Sequence, residues 1–406
     1  MNKVIFASTK DSDMHYAVKT PITSSFFYIE TRGEKYALLD KVDFGIIPKR
    51  TRIKTVLSNQ LSTEAKKLKF RTSDRNKLAY YIFKKYGLVG RKVEVPIHFP
   101  LDMADFLRKY GAKLIPTFPF FPERAVKTKD EIGYIKESLS HTKLAFCVIE
   151  NILRRSKIRG KRIYFRNKIL TSEFLKQEAE KALAENGMFD LLGMIVSTGD
   201  QTAIPHHDGT GPIRPHQPIV CDIFPRHRAS GYFADMTRTF VKGKPSVEIE
   251  KMYGTILKAQ KAAEKKIRAG IRAKEVYDIA AEVIYKSGYD VGEKLAPHQF
   301  KAQNMNNKKN KGEAVSPTAC RDIKNTNGIG AGGFIHGLGH GVGLDIHEKP
   351  SLKANSEDIL KAGNIITIEP GLYYSGIGGV RIEDMVLVTK TGCQNLTNYP
   401  KKFIIK

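Results

Sequence analysis

At 406 residues the chain is long for one domain, and a prior of about 150 residues per domain predicts two or three. Apolar residues at 41% and charged residues at 27% are ordinary for a globular protein, and no run approaches the ~20 apolar residues of a membrane helix. The formal charge of +26 invites a polyanionic partner, but Lys and Arg are scattered, with their densest cluster in an Asn-, Lys- and Gly-rich stretch at 306–312. The charge is therefore read as solvated surface, and neither nucleic acid nor membrane is an expected partner.

The N-terminus turns polar too early for a signal peptide, so a cytoplasmic location is expected. Cys147, Cys221, Cys320 and Cys393 form no Cys-x-x-Cys pair and imply neither a disulfide framework nor a zinc knuckle.

Along the chain, residues 1–125 alternate short β-rich runs with helical stretches, which predicts an α/β N-terminal domain. Strands are expected at 4–7, 26–29, 36–39, 93–97 and 113–115, and helices at 74–86 and 102–110, with Gly87 and Gly111 as their stops. The proline-punctuated stretch Pro116 to Pro122 cannot continue a helix and is the expected connector. A second domain, 126–406, opens on the capping-box pattern Thr128-Lys-Asp-Glu131. Helices are expected at 172–186, 246–268 and 274–287. Strands are expected at 219–224, 232–241, 365–368 and 380–388. Helices set apart from ligand-bearing strands point to an α+β domain with a curved antiparallel sheet.

Those strands carry the chemistry. Asp222, Asp235, His340, Glu369 and Glu383 are five potential metal ligands, each in a patterned setting. Four carboxylates and one imidazole suit Mn²⁺ better than a thiolate-loving metal, with Co²⁺, Zn²⁺ or Fe²⁺ as alternatives. With two bridging carboxylates such a set holds two ions about 3.5–4 Å apart and a hydroxide between them. His336, His340 and His347 are separated by glycines that make a helix a poor reading and permit close backbone approach. On a strand, Arg381 and Glu383 share a face while Asp384 points away. Gly328-Ile-Gly-Ala-Gly-Gly333 fits a dinucleotide fingerprint formally, but no strand precedes it and no helix follows, so nucleotide binding is not expected.

The segments Asp222 to Phe240, His336 to Glu348, Thr367-Ile-Glu-Pro-Gly-Leu-Tyr373 and Val380-Arg-Ile-Glu-Asp384 resemble the pita-bread metallopeptidase family, in particular its aminopeptidase P and prolidase branch. The resemblance covers roughly residues 126 to 406. The smaller domain before it fits the general character of that branch's creatinase-like N-terminal domain. One departure is visible: Phe224 and the stretch Pro225 to Ser230 replace a shorter turn that usually carries a glycine two residues after the first aspartate.

By this resemblance Asp222 binds one metal, Asp235 and Glu383 bridge, and His340 is a ligand. Glu369 binds a metal and shuttles a proton. His336 and His347 line the substrate pocket and stabilise the oxyanion, His206 (or its neighbour His207) donates to the substrate carbonyl, and Arg381 orients the Glu383 bridge or contacts substrate. The implied activity is a dinuclear Xaa-Pro aminopeptidase acting on peptides, with prolidase restricted to dipeptides as the alternative. Family members are often dimers or tetramers. From a different class, the alternative is a non-catalytic peptide- or RNA-binding protein on the same fold.

Overall fold

The structure is a computed structural model that describes residues 2–292 and 332–406. The basic run at 306–312, the surrounding insertion at 301–328, Cys320 and most of the glycine motif at 328–333 lie outside the described residues. The chain divides into two compact units, Met1–Arg124 and Ala125–Lys406.

The first unit is built on a six-stranded mixed sheet with Asn2–Ala7 and Phe26–Thr31 near its centre. Alternation along these strands sends Val4, Phe27 and Ile29 into one core and Ile5, Phe26 and Tyr28 into another, so both faces are covered. Pro116 is tolerated because Lys113–Thr117 is an edge strand. Helices Asp74–Lys85 and Leu101–Lys109 form as expected. Helix Ser58–Lys66 escapes sequence reading because it buries only Leu61 and Ala65 and has no side-chain cap.

The second unit repeats one plan twice. Helices Lys129–Arg155 and Ser172–Glu185 share a core with the sheet of Ile195–Thr198, Pro218–Ile223, Met236–Lys242 and Ile404–Ile405. Helices Val247–Lys266 and Ala273–Lys286 share another with the sheet of Glu348–Leu352, Gly339–Gly341, Ile365–Ile368, Asp384–Val388 and Cys393–Asn395. Within these two sheets, pairing is antiparallel except where Met236–Lys242 meets Ile404–Ile405. The capping box at Thr128 and Glu131 is formed.

The strand expected over 380–388 is two strands. Gly378–Arg381 pairs with Gly371–Tyr374, whereas Asp384–Val388 pairs with Ile365–Ile368. The break between them holds Ile382 and Glu383, and there the Glu383 N–H donates to the Thr237 carbonyl at 3.1 Å, tying the second sheet to the first.

Candidate metal centre

The five expected ligands converge at that junction. Asp222 lies on Pro218–Ile223 opposite Thr237, and Asp235 stands directly before Met236–Lys242. His340 lies in Gly339–Gly341, which pairs with Ile365–Ile368, the strand that delivers Glu369. One ligand atom each from Asp235, His340 and Glu383 lie within 4.8 Å of one another. His340 Nε2 is 3.2 Å from Glu369 Oε1 and 3.6 Å from Asp235 Oδ2.

Glycine makes this approach possible. A Cβ on Gly339 would collide with the Thr367 carbonyl, and one on Gly341 with the carbonyls of Lys349 and Glu348. Gly339→Ala is therefore expected to cost about 1–3 kcal/mol through overpacking and to weaken metal binding by moving His340. Thermal denaturation with a metal titration checks this, and an unchanged melting temperature and affinity would show that the close approach is dispensable.

Neighbouring side chains fix the ligands. The Arg381 guanidinium donates to Asp222 Oδ2 at 2.6 Å and to the Tyr373 hydroxyl at 2.7 Å. It thus serves Asp222 rather than Glu383, which receives the Thr237 hydroxyl at 2.9 Å instead. The Thr367 hydroxyl accepts from the His340 N–H and donates to Glu369 Oε1, both at 3.1 Å. His340 Nδ1 lies 3.2 Å from the Gly341 carbonyl; a carbonyl only accepts, so the proton sits on Nδ1 and Nε2 is turned toward the carboxylates as a ligand atom.

The same argument applies to His336. Its Nδ1 donates to the Gly337 carbonyl at 2.7 Å, and Nε2 accepts from the Tyr373 hydroxyl at 2.9 Å, so neither ring nitrogen is left to donate elsewhere. Burial holds His336 below the ordinary imidazole range, and for His347, although the residue is exposed, partial desolvation of the ring against the site and then the charge of His340 act in the same direction, with His206 adding to both. His206 and His347 are exposed, and the His347 ring meets His340 edge-on at 4.2 Å. His207 is turned to its own loop, accepting from the Gly209 N–H. Asp384 faces away into a buried pair with Arg238 at 2.7 Å.

The electrostatics are those of crowded carboxylates. Burial first, then the charge of Asp222, raises Asp235; burial first, then Asp235, raises Glu383. Against desolvation, the His340 contact pulls Glu369 down to about 2, while Glu369 lifts His340 to about 9.

The model of metallopeptidase family M24 matches residues 135–390. The chain belongs to this family. Among its relatives, the Xaa-Pro dipeptidase of Pyrococcus furiosus is 32% identical over 283 residues, 69% of this chain and 65% of that protein. The Xaa-Pro dipeptidase of Pyrococcus horikoshii is 34% identical over 222 residues, 54% of this chain and 50% of that protein. These matches thus span less than two thirds of either relative. In structure, a dipeptidase from Pyrococcus horikoshii gives a TM-score of 0.73 at 25% identity, covering 100% of this chain and 96% of that one. The X-Pro aminopeptidase of Thermotoga maritima gives 0.69 at 20% identity, covering 99% and 97%. The fold of the second unit is the pita-bread fold.

Membership of the M24 family implies divalent metal, and the residues fit it. Asp222 Oδ1, Asp235 Oδ1 and Glu383 Oε1 are buried without a hydrogen-bond partner among the described residues. Each such orphan costs about 1–3 kcal/mol, more when charged, and with Asp235 and Glu383 grouped around His340 a cation is the partner that would satisfy them. Sequence reasoning gave no role to Tyr373, Thr237, Thr367 or Arg238. All four lie inside the resemblance motifs, and the alternation of Thr237 with Asp235 and of Thr367 with Glu369 was the available signal.

Proposed function

We propose that this chain is a metal-dependent peptidase that hydrolyses the bond between an N-terminal residue and a following proline, with Xaa-Pro dipeptides as substrates. The observation that carries the reading is the gathering of ligand atoms from Asp235, His340 and Glu383 within 4.8 Å of one another, with one carboxylate oxygen each of Asp222, Asp235 and Glu383 buried without a hydrogen-bond partner among the described residues. The dipeptide preference is supported by the names of the two Pyrococcus relatives.

In this reading Asp222, Asp235, His340, Glu369 and Glu383 hold two divalent ions, with Mn²⁺ favoured by the oxygen-rich donor set. When bound, the ions supply Lewis acidity and bring the ionisation of water into the neutral range. The chain's own residues do the rest. Glu369 accepts the proton of the attacking water and passes it to the leaving amine. The exposed imidazoles of His206 and His347 donate to the scissile carbonyl oxygen as charge develops there. His336 anchors the loop through Gly337 and Tyr373, and its assignment moves from oxyanion donor to support.

The test is an assay of the Mn²⁺-loaded protein on an Xaa-Pro dipeptide and an Xaa-Pro-Yaa tripeptide. Faster release from the dipeptide is expected. The reverse preference makes the chain an aminopeptidase, and no hydrolysis of either by the metal-loaded protein removes the peptidase reading in favour of a binding protein.

A further inference from the structure

Lys127 and Glu348 form an ion pair whose side chains are only 2% and 9% exposed. Lysine is rarely buried this far unless paired, and desolvating such a pair costs about what its attraction returns. Net stability is thus a weak reason for its presence. Its placement supplies a better one.

Glu348 directly follows His347 and opens the strand Glu348–Leu352, where it stands opposite Gly341, next to His340. Its carboxylate packs over Gly343 so closely that a Cβ there would collide with it. The Gly343 carbonyl in turn accepts from the Phe233 N–H at 2.8 Å, two residues before Asp235. From the other side, the Lys127 N–H donates to the Gly363 carbonyl at 2.8 Å, just ahead of the strand Ile365–Ile368 that leads into Glu369. One lysine therefore joins the turn between His340 and His347 to the approach of the Glu369 strand. The His347 ring is exposed, and the next residue along the chain, Glu348, has a side chain only 9% exposed, so the pair anchors the backbone that carries His347.

We propose that Lys127 is a positioning residue for His347, acting through its buried pair with Glu348 to hold that imidazole against His340 and over the site. The kinetic consequence rests on the peptidase reading above. A displaced donor lowers kcat and leaves KM nearly unchanged, because its contact is made to charge that develops only in the transition state.

Three variants separate positioning from plain stabilisation. Lys127→Met strands a buried carboxylate and is expected to lower the melting temperature by about 5–10 °C. Lys127→Met with Glu348→Met replaces the pair by apolar groups and is expected to restore the melting temperature. The double variant should nevertheless keep its metal, lose kcat by about tenfold with KM within about threefold, and show in its crystal structure a His347 ring displaced from the 4.2 Å contact with His340. Parent kcat and an unmoved ring in the double variant would overturn the proposal. Should the double variant not fold, Glu348→Gln keeps the side chain's shape but leaves the Lys127 ammonium without its counter-charge and decides in its place: a several-fold loss of kcat with a melting temperature a few degrees below the parent's is expected, and parent kcat overturns the proposal. If the parent protein hydrolyses no Xaa-Pro peptide, the peptidase reading falls, and the position of the His347 ring in the variant structure still decides this one.

Discussion

Glu383→Gln is expected to raise the melting temperature of the metal-free protein while abolishing turnover and metal occupancy. Glu383 is buried against Asp235, and its Oε1 has no hydrogen-bond partner among the described residues. Its charge is therefore a liability until a cation meets it. Glutamine keeps the shape, removes one like charge and offers an N–H to Asp235, for a gain of about 1–3 kcal/mol, or a few degrees in a chain of this size. The same change removes a ligand expected to bridge two ions. The parent protein should gain about 2.7 kcal/mol when Mn²⁺ stands at 100 times its Kd, and the variant should gain nothing. Turnover should fall on the order of 10³-fold or more, since the metals are asked for several kcal/mol of the barrier. Melting curves with and without Mn²⁺, together with kcat, read all three effects. A variant that is less stable without metal yet still stabilised by it would contradict the assignment of Glu383.

Arg381→Met is expected to have the second largest effect, through Asp222 rather than Glu383. The guanidinium is buried and spans Asp222 Oδ2, the Tyr373 hydroxyl and the Thr237 hydroxyl. Removing it strands the Asp222 carboxylate and frees Tyr373, which Arg381 and His336 hold between them. Breaking a buried pair by deleting one partner costs about 3–5 kcal/mol, and part of that loss should be recovered when a cation takes over the carboxylate. The metal-free variant should therefore unfold markedly earlier than the parent, with a smaller gap in Mn²⁺. Turnover should drop about 10²-fold or more as Asp222 loses its fixed orientation. Arg381→Lys should not rescue it, because one ammonium cannot span partners that a planar fork reaches together. Parent-like activity in the lysine variant would show that only a positive charge is required there.

The asymmetry between these predictions reflects what a sequence can and cannot display. Asp222, Asp235, His340, Glu369 and Glu383 stand out because hard-ligand residues sit in glycine-rich or strand-like settings whose chemistry is local. The Thr128 and Glu131 box is legible for the same reason, its partners being three residues apart. The contacts that orient the ligands are not local: Arg381 reaches 159 positions to Asp222, and Thr237 reaches 146 to Glu383. Alternation says which face Arg381 takes but not what waits there, and the break at Ile382 and Glu383 gives Glu383 a different neighbour from the one a continuous strand implies. Lys127 was invisible for a further reason, since nothing in Val126-Lys-Thr-Lys129 marks the first lysine as buried and the second as exposed.

In the proposed centre, five side chains from both sheets of the second unit would form a single cradle for two divalent cations. The most direct measurement of that cradle is the number of Mn²⁺ ions bound per chain, by equilibrium dialysis and elemental analysis, in the parent protein and in Asp235→Asn. Two ions per chain in the parent and none, or one held weakly, in the variant is the predicted result. No bound Mn²⁺ in the folded parent, or the same two ions in the variant, would contradict it.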